Sequence, residues 1–140
     1  MSQVTLGTTG ITVNKNGFGA LPVQRVTMEE AKKHLRKAFE SGITFFATAR
    51  AYTDSEEKLG EALSDVRDQI FIATKTAAKT ADGFWKDLET SLKLLKTDYI
   101  DIYQFHNPAV CPKPGDGTGL YEAMLEAKEQ GKIRHIGITN

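Results

Sequence analysis

Two kinds of hydrophobic pattern alternate along the chain, and the alternation predicts the architecture. Ala31, Leu35, Ala38 and Phe39 recur at helical spacing behind Thr27-Met28-Glu29-Glu30, a capping box in which the Thr27 hydroxyl faces the third helical amide and Glu30 reaches back. Ser41-Gly42 ends this helix, glycine suiting the left-handed cap. The unbroken run 43–47 then reads as a buried strand, and Asp54 caps a second helix carrying Leu59, Ala62 and Leu63. A strand over 70–74, a helix over 84–96, a strand over 99–104, a helix over 120–130 closed by Gly131, and a strand over 135–139 complete the series. Ahead of them, segments 3–6 and 11–14 flank Gly7-Thr8-Thr9-Gly10 as a β-hairpin, and 17–20 is the first strand of the main series.

Strand and helix alternating through short connections is the signature of βα units and a parallel sheet. Both a doubly wound α/β sheet and a (β/α)8 barrel fit this beat. A barrel takes about 250 residues, so on that reading the 140 residues form one unit, 1–140, with four βα units plus a fifth strand. The chain is then expected to stop halfway round, as a partial TIM barrel with an N-terminal hairpin.

Composition narrows the partners. Lys and Arg number 18 against 18 Asp and Glu, so no global basic field draws in nucleic acid or anionic lipid. The single cysteine, Cys111, allows no internal disulfide, and no Cys/His group has zinc-ligand spacing, so no structural metal is expected and the setting reads as cytoplasmic. The first residues, Met1-Ser2-Gln3-Val4-Thr5-Leu6-Gly7, show no signal-peptide pattern, and no apolar run approaches the ~18 residues of a membrane span. Residues 112–119, rich in Pro and Gly, read as a long surface loop.

In either α/β fold, ligands meet the loops after the carboxyl ends of the strands. Those loops carry Tyr52, Lys75 and His106, one after each of three successive strands. A phenol with a solution pKa of about 10 is a poor acid at neutral pH, but an adjacent ammonium lowers it and makes proton donation to a substrate oxygen practicable. An imidazole from the next strand can orient that oxygen or relay the proton, so the set suits carbonyl reduction with hydride supplied by a cofactor. Each residue alone has a plainer reading, as loop aromatic, solvated cation or backbone-bonded imidazole; it is their joint placement that argues for a site. His34 and His135 read as structural, the latter opening the last strand, and Phe84 and Trp85 as an apolar anchor. Gly17-Phe18-Gly19 lacks the third glycine of a dinucleotide fingerprint, position 22 being Pro; Arg25 and Arg50 are candidates to bind a phosphate or carboxylate, with solvated surface charge as the plainer reading of each.

Five ordered motifs resemble the aldo-keto reductases. They are the hairpin Leu6-Gly7-Thr8-Thr9-Gly10-Ile11-Thr12-Val13 with Gly17-Phe18-Gly19-Ala20; Phe46-Ala47-Thr48-Ala49-Arg50-Ala51-Tyr52 followed by Ser55-Glu56-Glu57-Lys58-Leu59-Gly60; Ile72-Ala73-Thr74-Lys75; Asp98-Tyr99-Ile100-Asp101 with Gln104-Phe105-His106; and Gly131-Lys132-Ile133-Arg134-His135-Ile136-Gly137-Ile138-Thr139-Asn140. The resemblance implies a (β/α)8 barrel binding NADPH or NADH without a Rossmann domain. Tyr52 resembles the proton-donating tyrosine, Lys75 the lysine that lowers its pKa, and His106 the histidine beside the substrate carbonyl. Gly19 and Ala20 resemble the turn touching the cofactor, and Thr139 and Asn140 the pair holding the nicotinamide carboxamide. The family's catalytic aspartate falls on Ala47, and everything after the fifth strand lies beyond the chain. The implied function is reduction of a small-molecule carbonyl to an alcohol, weak or silent in these 140 residues alone. The alternative, since Ala47 and the missing half would both weaken catalysis, is a non-catalytic half-barrel that binds a partner chain or self-associates. Phe18, Phe45, Ile72 and Ile138 are expected to face a missing barrel wall, so a homo-oligomer or a complementary half-barrel is the expected partner.

Overall fold

A computed structural model describes residues 3–14, 17–19, 26–50, 54–106, 115 and 117–139. In chain order the elements are β1 (Gln3–Thr5), β2 (Thr12–Asn14), β3 (Phe18–Gly19), α1 (Met28–Glu40), β4 (Phe45–Ala47) and α2 (Ser55–Leu63). A 3-10 helix (Ser64–Gln69), β5 (Phe71–Thr76), α3 (Ala81–Leu95), β6 (Ile100–His106), α4 (Leu120–Glu129) and β7 (Ile133–Thr139) follow. β1 and β2 pair antiparallel as the expected hairpin, Val4 opposite Val13.

β3 to β7 form one sheet, every neighbouring pair parallel and spatial order following chain order. A doubly wound sheet reverses direction at a switch point between its halves. No reversal occurs among these five strands, so the winding is that of a (β/α)8 barrel followed through its first five strands. No helix of the described residues is long and apolar enough to cross a membrane.

Local chemistry explains the helix ends. Thr27 accepts from the Glu30 amide at 3.2 Å at the start of α1. At its end Gly42, with φ +104°, donates to Phe39 O while the Ile43 amide reaches Ala38 O at 3.1 Å, the paired bonds of a Schellman motif. α3 starts at Ala81, three residues before the helix expected from the sequence, because Thr80 caps it by accepting from the Gly83 amide at 3.1 Å. Asp54 does occupy the position before α2, but its carboxylate makes no cap bond. It pairs instead with the buried Lys58, 3.0 Å away and one helical turn on, whose ammonium also donates to Val26 O at 2.6 Å.

The core lies between sheet and helices and contains Leu35, Phe46, Leu59, Ile72, Phe84, Leu88, Tyr103 and Met124. Ile72 therefore faces the helices rather than the barrel interior. Phe45 has the opposite parity to the buried Phe46 and stands in register with the half-buried Phe71, as expected for the unfilled face; the side chains of Phe18 and Ile138 lie outside the described residues. His135 is the third residue of β7, opposite Ile102, since that strand begins at Ile133.

Helices α2 and α3 meet at Gly60, where a Cβ would lie 2.1 Å from Leu94 O and 2.8 Å from Leu95 Cα. Gly60→Ala is expected to destabilise the fold by about 1–3 kcal/mol, the usual cost of overpacking, which the gain in helix propensity of under about 1 kcal/mol does not cancel. Chemical unfolding checks this; an unchanged midpoint would mean that the two helices separate freely.

Candidate active site

Strand register sorts the residues near the carboxyl ends of the strands into two faces. Phe46, Ile72, Thr74, Tyr103 and Phe105 face the helices, buried. Ala47, Ala73, Lys75, Gln104 and His106 alternate with them on the other face. Lys75 pairs with Gln104, and His106 with Thr139, so Lys75 and His106 leave adjacent strands on the same side at their carboxyl ends. Gly19 and Ala47 are register neighbours on β3 and β4, and Ala47 is in turn opposite Ala73. Tyr52, Ala20 and Asn140 lie outside the described residues, as do Cys111, Pro22 and Arg25.

The segment after β4 continues alongside β5. The Thr48 amide donates to Ala73 O at 2.8 Å and the Arg50 amide to Lys75 O at 3.0 Å. The Lys75 ammonium crosses back to this segment and donates to Thr48 O at 2.8 Å, so the cation sits over the stretch leading to Tyr52. Two contacts from the start of α2 support the same stretch. Thr48 and Ser55 hydroxyls share a buried hydrogen bond of 2.7 Å. Glu56, 1% exposed, binds Arg50 Nη1 through Oε1 and accepts from the Thr74 hydroxyl at 2.7 Å through Oε2. Arg50 is thus half-buried and ion-paired, not a solvated surface charge.

His106 is held below the ordinary imidazole value of 6.5, by burial first and by the Lys75 charge second. At neutral pH it is therefore a neutral ring, with one N–H donor and one acceptor nitrogen to offer an oxygen atom. Its NMR titration is expected below 6.5, and Lys75→Met should move it part of the way back, burial being the larger cause. Folding disfavours the protonated ring, so the stability His106 contributes is present above its unfolded pKa and lost as the pH falls through the lower folded one. A midpoint at or above 6.5 would contradict the arrangement. Tyr103 is excluded as a proton donor, since it faces the helices and burial, reinforced by Asp87, pushes its phenol far above the ordinary value of 10.0.

Gln104 and Glu56 were given no role in the sequence reading. A Cβ at Gly137 would lie 3.0 Å from Gln104 Cγ and 3.2 Å from its Nε2, so the Gln104 side chain lies across β7, one layer below Thr139. The missing side chain at Gly137 was the available signal. For Glu56 it was a carboxylate next to Ser55 at the opening of a helix. Among the described residues no group of three His, Cys, Asp or Glu could hold a metal ion.

Residues 4–140 match the sequence profile of the Aldo/keto reductase family. Aldo-keto reductase YhdN of Bacillus subtilis is 35% identical over 159 residues, an alignment covering 100% of this chain and 47% of that protein. The holo form of an aldo-keto reductase from Bacillus halodurans superposes with a TM-score of 0.88 at 31% identity, covering 99% of this chain and 50% of the other. A Klebsiella pneumoniae aldo-keto reductase in complex with NADPH gives a TM-score of 0.85 at 28% identity, over 100% of this chain and 50% of the other. The chain spans about half the length of the relatives it matches.

Proposed function

Because the chain belongs to the aldo-keto reductase family, we propose that residues 1–140 are the N-terminal half of a barrel that reduces a small-molecule carbonyl to an alcohol with NADPH or NADH. The carrying observation is the placement of Lys75 and His106 on one face at adjacent strand ends, the ammonium bonded to Thr48 O. Tyr52 is the proton donor in this reading. Lys75 favours its ionised form and so lowers its pKa, and neutral His106 hydrogen-bonds the carbonyl oxygen that receives the proton.

Gly19, Ala20, Thr139 and Asn140 are the residues proposed to hold the nicotinamide cofactor, which supplies the hydride when bound. Two observations support that fit. Among the described residues, nothing lies within 4 Å of where a Cβ on Gly19 would stand, beside Ala47. Thr139 is opposite His106 in register, so cofactor and carbonyl contacts would come from neighbouring strand ends.

The test is to join residues 1–140 to the C-terminal half of the Bacillus subtilis relative and follow consumption of NADPH and NADH with a panel of small aldehydes and ketones. Reduction of at least one carbonyl is expected; a folded barrel that binds the cofactor and reduces none would overturn the reading. Ala47 favours a second reading, a non-catalytic half-barrel, and that outcome would support it. Taken alone, the 140-residue chain is expected to self-associate, because among the described residues β3 and β7 are each paired on one edge only and Phe45 and Phe71 are half-exposed. Light scattering that reads a folded monomer at micromolar concentration would contradict this.

A further inference from the structure

We propose that Glu56 is a positioning residue for Lys75, locking the strand end that carries the lysine to the segment whose carbonyl receives its ammonium. The proposal rests on the carbonyl-reduction reading and adds to it. Glu56 is the second residue of α2, on the helix side of the sheet, and does not reach the face bearing Lys75 and His106. Its two carboxylate oxygens go to different strands' ends: Arg50 belongs to the segment after β4, and Thr74 to β5.

Each partner has a counterpart on the Lys75 face. Thr74 precedes Lys75 and points the opposite way, so holding its hydroxyl from behind fixes the backbone from which the lysine departs. Arg50 donates its amide to Lys75 O at 3.0 Å and lies two residues beyond Thr48, whose carbonyl accepts the ammonium at 2.8 Å. The Ser55 hydroxyl bonded to Thr48 at 2.7 Å holds that segment at a second point. Donor and acceptor of the Lys75–Thr48 bond are therefore both anchored to the first turn of α2.

A buried ion pair is weak grounds for stability, because an apolar replacement of similar volume often does as well. An apolar residue at position 56 could fill the space yet could not hold a guanidinium and a hydroxyl from two segments at once. Lys75 needs that hold because its ammonium donates to a backbone carbonyl, and a carbonyl moves wherever its segment moves.

Glu56→Gln and Thr74→Val in the intact chain test this, with the His106 imidazole titrated by NMR as the primary readout. Loss of a negative charge by itself lowers an imidazole pKa, and Thr74→Val changes no charge. Retreat of the Lys75 ammonium instead raises the His106 value, towards 6.5. A rise in both variants, bounded by that in Lys75→Met, is expected. An unchanged or lower midpoint in both, or a change in melting temperature alone, overturns the proposal. Should Glu56→Gln not fold, Thr74→Val decides by the same sign.

In the completed barrel, Glu56→Gln is further expected to lower kcat about tenfold, with KM for the carbonyl within about twofold. A rise in KM at constant kcat speaks against positioning. If the parent barrel reduces no carbonyl, the proposed function fails, and the His106 titration still decides the role of Glu56.

Discussion

Asp101→Ala is expected to lower the stability of the fold by about 3–5 kcal/mol, as when one member of a buried ion pair is removed. Asp101 lies on β6, 1% exposed, and its Oδ2 accepts from Arg67 Nη2 at 2.7 Å and from the Ile72 amide at 2.9 Å. Arg67, 8% exposed, also donates to Ile70 O and Tyr99 O, each at 3.0 Å, and its guanidinium lies 4.0 Å from the centre of the Tyr99 ring. The pair thus joins the 3-10 helix, the start of β5 and the start of β6. Alanine would leave a guanidinium buried without its counter-charge and an interior amide without an acceptor, two costs that relaxation cannot both relieve. Asp101→Asn keeps an acceptor and the shape, and should lose less. Urea unfolding at unchanged m-value measures both variants. A loss below about 1 kcal/mol for alanine would mean that water reaches Arg67 in the folded state.

The Arg67–Asp101 pair also marks a limit of sequence reading. Its partners are 34 positions apart, on elements whose adjacency follows only from the strand order. What periodicity carries was legible: the hairpin, four helices with their Thr27 and Gly42 ends, and five parallel strands. The choice between two windings was not in the periodicity, because it depends on which strands are neighbours; the five ordered motifs carried it. Side-chain facing within strands was hidden as well. The run Ile70-Phe71-Ile72-Ala73-Thr74 has no apolar-polar alternation, as befits a parallel strand that a completed barrel covers on both faces, so nothing in it shows that Ile72 meets the helices. Asp54 shows a local rule losing to a competing one, its carboxylate taken by Lys58 one turn ahead. The placement of Lys75 and His106 at neighbouring strand ends was legible because each ends a strand of a parallel series. Glu56 was marked only as a carboxylate beside Ser55 at the start of a helix, since its contacts to Arg50 and Thr74 depend on the fold.

On the proposed carbonyl-reduction reading, Ala47 stands where the family resemblance implies an aspartate, and two substitutions measure the consequence in the completed barrel. Tyr52→Phe is expected to lower kcat by about 10²- to 10⁴-fold, the contribution of a positioned general acid. Ala47→Asp is expected to raise it about tenfold or more, with little change in KM. Ala47 is half-buried, in register with Gly19 and Ala73, and shares the face of Lys75, so a carboxylate there meets small neighbours and a cation two residues along the next strand. The ammonium now donates to Thr48 O, a neutral acceptor. A charged acceptor makes a stronger bond, worth about 1.5–3 kcal/mol against about 1 for a neutral one. The difference acts on catalysis by narrowing the arc over which the ammonium can wander from the phenol. That favours the ionised phenol that forms as the proton is given up, so the gain belongs to kcat, and tenfold corresponds to about 1.4 kcal/mol of the barrier. Equal rates for the parent barrel and its Ala47→Asp variant would show that the Thr48 carbonyl, held by Ser55 and Glu56 through α2, already fixes the lysine as firmly as a carboxylate does.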